Sequence, residues 1–187
     1  MGIKSVIGVG GEPATGKTTL FRRLIELYDV RRTFHYQVFR GMMSEKSKMI
    51  VAGIYDDSLF GGTDKLSMAV QPVFFNFLKM INKNQCYDGY TVLFEGDRLF
   101  NAKCIRELME KYVSHFILLQ ANDTTLADRH TQRNDTQSDK FLKGRKTKYN
   151  NIISEFPDDI QLMSNNTELE QELVFSRVCQ WVDGTHK

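Results

Sequence analysis

The run Gly11-Glu12-Pro13-Ala14-Thr15-Gly16-Lys17-Thr18 fits the pattern G-x-x-x-x-G-K-[ST], in which each fixed residue serves phosphate binding. Gly11 and Gly16 let the backbone turn with its N–H groups inward, forming an anion nest at the start of a helix whose dipole also favours negative charge. Lys17 reaches the β- and γ-phosphates of a nucleoside triphosphate, and the Thr18 hydroxyl ligates the magnesium ion that bridges them. Glu12, Pro13, Ala14 and Thr15 line the turn, and Thr19 continues the nucleotide-contacting set. The chemistry implied is binding of ATP with Mg2+, with Lys17 also acting on the transferring group.

Further candidates lie along the chain. The apolar run from Tyr90 ends in Glu95-Gly96-Asp97-Arg98, so a buried strand delivers acids at its C-terminal end, where open α/β sheets bind ligands. Either Glu95 or Asp97 would hold the metal side; Glu95 is taken as the metal ligand and Asp97 as a catalytic acid. Arg98 suits a two-pronged hydrogen bond to a substrate phosphate. Arg129 and Arg133, four apart, share a helix face and would stabilise the charge of a moving phosphoryl group. Asp56, Asp57 and Asp64 fall in one loop. There a carboxylate could take a hydroxyl proton or accept a base N–H, and Asp57, Asp64 and Lys65 form the expected acceptor-binding set. Taken by itself, Asp64 reads first as a turn residue or helix cap.

The elements that must position these residues follow from apolar periodicity. Residues 3–9 read as a strand and 18–28 as a helix, giving strand, loop and helix around the cradle. Residues 33–39 and 49–55 read as strands, 65–81 as a helix with Pro72 in an early turn, 90–94 as a strand and 101–112 as a helix. Strands at 114–119 and 160–163 follow, and the last helix, 168–182, starts at Thr167 with Glu170 completing a capping box. Alternating strands and helices predict an α/β three-layer sandwich on a mostly parallel sheet, in one domain over residues 1–187. Residues 127–149 break the pattern: Arg129, Arg133, Lys140, Lys143, Arg145, Lys146 and Lys148 stand against Asp128, Asp135 and Asp139. So polar a stretch would bury little and form a mobile helical arm, or simply a solvated helix pair.

Composition narrows the partners. At 187 residues, 41% hydrophobic and net charge +2, the chain fills one core and carries no overall basic field, so any nucleic-acid site must be local. Cys86, Cys104 and Cys179 lack paired spacing and read as buried thiols of a reducing cytoplasm. The start enters a strand at once, without signal peptide or membrane span, and Val6 stands where a myristoylation motif wants Ser or Thr. No membrane partner is expected.

With the cradle, the strand-end acid, the arginine pair and Leu162-Met163-Ser164-Asn165-Asn166-Thr167, the chain resembles the nucleoside and nucleotide kinase group of P-loop proteins over nearly its whole length. The resemblance implies a lid arm carrying Arg129 and Arg133, and an adenine-side loop at residues 164–167, with Asn166 as its nucleotide contact. The stretch from Tyr55 to Pro72, with Phe94-Glu95-Gly96-Asp97-Arg98, is similar more narrowly to bacteriophage kinases that act on 5-hydroxymethyluracil in DNA. That would imply transfer of the ATP γ-phosphate to the base's hydroxymethyl group, in the host cytoplasm, with Tyr55 and Phe60 available to stack on the base. Nucleoside kinases usually read Glu-Arg-Ser at the strand end; Glu95-Gly96-Asp97-Arg98 departs from that and puts a free-nucleoside acceptor in doubt. GTPases show Asn-Lys-x-Asp, which Asn82-Lys83-Asn84-Gln85 does not complete. A deoxynucleoside monophosphate kinase, with a free dNMP as acceptor, and a regulatory P-loop ATPase remain the alternatives, and the oligomeric state is open.

Overall fold

The computed structural model describes residues 2–56, 61–132 and 138–185. One seven-stranded sheet runs through the molecule in the order β2-β3-β4-β5-β1-β6-β7. The strands are β1 (Ser5–Gly11), β2 (Arg32–Tyr36), β3 (Phe39–Ser44), β4 (Met49–Ala52), β5 (Thr91–Glu95), β6 (Ser114–Gln120) and β7 (Ile160–Ser164). β4, β5, β1, β6 and β7 are parallel, and β2 and β3 extend one edge as an antiparallel hairpin. The first strand in sequence is therefore central, with β5 on one side and β6 on the other.

The helices are α1 (Lys17–Leu27), α2 (Val70–Asn82), α3 (Ala102–Lys111), α4 (Asp123–Gln132), α5 (Asp139–Glu155) and α6 (Glu168–Asp183). They make the outer layers. Against one face, Val70, Phe74, Phe77, Leu78 and Ile81 of α2 pack with Cys104, Ile105 and Leu108 of α3 and Tyr149 and Ile152 of α5. Against the other, Leu20, Phe21, Leu24 and Ile25 of α1 pack with Val174, Val178, Trp181 and Val182 of α6. The β-branched and aromatic residues of the parallel strands are buried on both faces, as a covered parallel sheet requires. This is the expected three-layer α/β arrangement. The capping box at Thr167 and Glu170 is also present.

Four expectations need correction. Residues 33–39 are not one strand but the inner half of the β2–β3 hairpin, with Tyr36 paired to Phe39. Its turn is Gln37-Val38, without the Gly, Asn or Asp that advertises such turns, and Gln37 adopts φ 55. The helix expected from residue 65 starts at Val70, because Thr63–Lys65 form a separate 3-10 turn and Leu66 is extended and buried. The polar arm is the pair α4 and α5, and α5 is anchored: Tyr149 and Ile152 are buried in the larger core. Only the buried face of its last turns was needed to do this, which a mean over the polar segment hides. Of the three thiols Cys104 is buried and Cys179 half-buried, but Cys86 is exposed on the turn Gln85–Tyr87. Among the described residues no helix is long and apolar enough to cross a membrane.

Candidate phosphate-transfer site

The cradle lies where β1 passes into α1. Gly16 caps the helix with φ 97, a conformation that side chains disfavour, and a Cβ there would also collide with the Asn165 amide. Lys17 folds over the turn and donates to the carbonyls of Gly11 at 2.6 Å and Glu12 at 2.9 Å. The Thr15 hydroxyl donates to Glu12 O at 2.8 Å. From the loop after β7, the Asn165 side-chain amide donates to Thr15 O at 2.6 Å, while its own Oδ1 is buried with no hydrogen-bond partner among the described residues. Arg129 of α4 donates to Ala14 O at 3.1 Å and Asn165 O at 2.8 Å, tying arm, cradle and loop together. A cavity of about 190 Å³ opens beside this clamp, lined by Thr19, Arg23, Arg129, Asn165 and Gln171 among others. Asn166 turns away from the cradle and accepts from Asn122 N at 2.8 Å, so Asn165 is the loop residue in contact with it.

Glu95 ends β5 beside the cradle and is 1% exposed. The Thr18 hydroxyl is hydrogen-bonded to its carboxylate, and Tyr55 Oη donates to Oε1 at 3.4 Å. Thr63 fixes the strand end by donating to Glu95 O at 2.5 Å. Burial pushes the Glu95 carboxyl up to about 7 against the opposing pull of Lys17 and Thr18, and Asp64 adds a raising charge. Tyr55 is stacked on Phe21, with ring centroids 6.0 Å apart, which takes up one face of its ring, and it is only partly buried.

Asp64 is exposed on the 3-10 turn and accepts from Asp97 N at 2.8 Å, which brings the loop after β4 to the end of β5. Lys65 pairs with Asp56 at 2.6 Å, and Arg98 donates to Leu66 O at 3.4 Å. Asp97 is engaged by α5: Arg145 at 2.8 Å, Lys148 at 2.9 Å and the Tyr149 hydroxyl at 2.5 Å. Burial alone would raise its pKa, but Lys148, Tyr149 and Arg145 outweigh that and hold it below its ordinary value. Asp97 thus joins the arm to the sheet, whereas Glu95 is the acid adjoining Thr18 and Lys17. Asp57, Phe60 and Arg133 lie outside the described residues.

The sequence did not single out Asn165 as a clamp, Thr63 as a support or Tyr149 as a partner of Asp97. For Asn165 a signal existed, since it follows directly on the last parallel strand, at the sheet edge where ligands bind; for Thr63 and Tyr149 none did.

Comparison with known proteins found no matching family model and no match among curated proteins. Among solved structures, the chain is similar to a gluconokinase from Sinorhizobium meliloti 1021, at 12% identity over 98% of each chain with a TM-score of 0.51. The fold is P-loop kinase-like. An uncharacterized protein from Eubacterium ventriosum ATCC 27560 aligns at 11% identity over 97% of this chain and 99% of that one, with a TM-score of 0.48. At 12% identity the likeness to the gluconokinase concerns the fold alone.

Proposed function

We propose that this chain is an ATP-dependent kinase that transfers the γ-phosphate to the hydroxymethyl group of 5-hydroxymethyluracil in DNA. The observation that carries the phosphotransfer reading is the convergence of the Thr18 hydroxyl, the Lys17 ammonium and the buried Glu95 carboxylate on one phosphate cradle. The DNA-base acceptor rests on the similarity of the stretch from Tyr55 to Pro72 and of Glu95-Gly96-Asp97-Arg98 to the phage kinases.

Two oxygen donors beside a triphosphate suit magnesium, which favours one or two protein ligands plus phosphate oxygens, so Thr18 and Glu95 are the residues that would hold it, directly or through water. Bound there, the ion would neutralise charge on the β- and γ-phosphates. Lys17 exchanges its two backbone carbonyls for phosphate oxygens when ATP enters. Asp64 accepts the proton of the acceptor hydroxyl as its oxygen bonds to the γ-phosphorus; the bond to the β–γ bridging oxygen breaks and ADP leaves. Arg129, already against Ala14 O, supplies positive charge as negative charge spreads over the moving group. Arg133 would share that task on the same arm, and Asp57, Lys65 and Arg98 would hold the acceptor. Asp97 keeps the arm in place through Arg145 and Lys148.

Transfer of labelled phosphate from ATP to a panel of acceptors tests the reading. DNA containing 5-hydroxymethyluracil should be labelled, while thymine DNA and free hydroxymethyl-dUMP remain poor acceptors. Efficient labelling of a free deoxynucleoside monophosphate, with none on modified DNA, would replace the acceptor by that of a monophosphate kinase. ATP hydrolysis that ignores every acceptor would remove the kinase assignment altogether.

A further inference from the structure

The β2–β3 hairpin is an addition to the parallel sheet, and its two faces differ. Phe34 and Tyr36 pack on Phe77, with ring centroids 5.2 and 5.6 Å away, and Phe39 is fully buried against Phe74 and Phe77. That aromatic cluster fixes the hairpin backbone rigidly. His35 and Arg40, directly paired across the strands, are on the opposite side and exposed. Two concavities, of about 280 and 260 Å³, flank Arg40. The first lies between the hairpin turn and the acceptor loop, and Gln37, Val38, Arg40, Ile54, Lys65 and Ser67 line it. It carries two cations and no carboxylate among its lining residues.

Neighbouring charges are largely matched. Arg31 pairs with Asp29, Arg32 with Glu45, and Lys65 with Asp56 at the rim. The Arg40 guanidinium makes no hydrogen bond or ion pair among the described residues. At the turn, Gln37 holds φ 55 where glycine would be less strained, so a hydrogen-bonding side chain is kept at a conformational cost. Ser67 Oγ accepts from Ala69 N, leaving its own proton to donate. The concavity also lies at the C-terminal end of β4, the sheet edge that carries the cradle and Glu95. Arg40 itself stands on β3, three strand spacings or about 14 Å from β1 across β4 and β5.

We propose that this concavity, centred on Arg40 with Gln37 and Ser67, binds a backbone phosphodiester of the DNA strand whose base enters the acceptor site. The inference rests on the DNA-base reading of that site and gives it a structural basis for preferring a polymer. A free nucleotide carries one phosphomonoester and no flanking phosphodiester, so a contact between Arg40 and a flanking phosphate distinguishes acceptors in a way the cradle cannot. Arginine is suited to this because its guanidinium stays charged and can present two N–H groups to one phosphate.

The test measures binding of a single-stranded oligonucleotide containing 5-hydroxymethyluracil across a salt series, for the wild type, Arg40→Gln and Arg40→Lys. One lost phosphate contact on a single strand should lower the slope of log K against log salt by about 0.7, which is about fivefold in affinity at 0.1 M salt. The loss should be alike for all sequences, because a phosphate carries no base identity. Arg40→Lys should recover most of it, and ATP affinity and binding of free hydroxymethyl-dUMP should be unchanged in both variants. An unchanged slope in Arg40→Gln, or an equal loss on free hydroxymethyl-dUMP, overturns the inference while leaving the kinase intact. Wild-type protein that binds no DNA at any salt, yet phosphorylates free nucleotides, overturns the acceptor reading and the inference with it.

Discussion

The proposed donor and acceptor ends of this sheet edge are assembled differently. The cradle is a continuous run from Gly11 to Thr18, shaped by its own backbone and fastened at one point each by Arg129 and Asn165. The proposed acceptor end gathers Asp64 and Lys65 from the loop after β4, Asp97 from beyond the end of β5, and Arg145, Lys148 and Tyr149 from α5, while Glu95 belongs with the cradle through Thr18 and Lys17. A phosphate chain is the same in every nucleotide, so one local motif serves it. An acceptor is particular, and its site is put together from segments that meet only after folding. Changes at the donor end should therefore abolish chemistry outright, and changes at the acceptor end should be graded.

The largest effect is expected at Lys17. Lys17→Ala removes the charge meant for the β- and γ-phosphates and little packing, so phosphotransfer should fall by at least about 10²–10³-fold while the folded signal by circular dichroism is kept. Near-normal turnover at saturating ATP would break the comparison at its donor end.

Glu95 comes next and has a pH signature. Its carboxyl sits at about 7 because burial disfavours the charge, and metal binding needs the charged form. In the wild type kcat/KM should accordingly rise with pH through about 7. Glu95→Gln should lose both the rise and most of the activity. Stability should move the other way. The folded state holds this proton more tightly than the unfolded state, so the group's contribution is greatest at low pH, falls as pH increases from 4.5 to about 7, and is flat above. The fall is on the order of 1–3 kcal/mol. In metal-free denaturant titrations Glu95→Gln should therefore gain on the wild type as pH rises, and a constant difference from pH 5 to 8 would contradict the assignment.

Arg129 ties the arm to the cradle and to the loop after β7. If its charge acts on the moving group, Arg129→Ala should lower kcat by roughly 10–100-fold and raise the KM for ATP less, with Arg129→Lys unable to reproduce both backbone contacts. A pure KM effect would mean that it only binds the ground state.

The smallest effect is expected at Tyr149. Tyr149→Phe removes one hydrogen bond to Asp97 but keeps the buried ring, so a loss of about 1 kcal/mol is expected, read as a shifted denaturation midpoint. Asp97 has a depressed pKa, so its contribution to stability is present above the ordinary carboxylate range and is lost as pH falls through the folded value. The deficit of Tyr149→Phe should then shrink in acid. A deficit that grew in acid would show that the α5 latch does not depend on the charge of Asp97.

The same contrast governs what the residues alone disclose. The cradle, its flanking strand and helix, and the three-layer class were legible because motif and periodicity are local properties, and so was the Thr167 cap. The β2–β3 hairpin escaped because Gln37-Val38 carries no turn chemistry and its stability comes from aromatic packing on α2, far along the chain. Asp97 and Glu95 could not be told apart by position, since both follow the same buried strand. What separates them is long-range: α5 supplies cations to one and the cradle supplies Thr18 and Lys17 to the other. Arg129 was visible as a charge on a helix, but its bonds to Ala14 and Asn165 depend on how that helix docks.

The central place of β1 has a further consequence, in the order in which the molecule is made. Ser5 pairs with Thr91 and Val6 pairs in register with Ser114, so the strand that carries the cradle leaves the ribosome long before either of its neighbours exists. At synthesis rates of roughly 5–20 residues per second, that interval is on the order of ten seconds. Throughout it, Val6, Ile7 and Val9, all fully buried in the finished protein, belong to a strand with two open edges. Such a segment is an aggregation hazard until its partners arrive, so nascent chains stalled before β5 should recruit a holding chaperone, and chains stalled after β6 should release it.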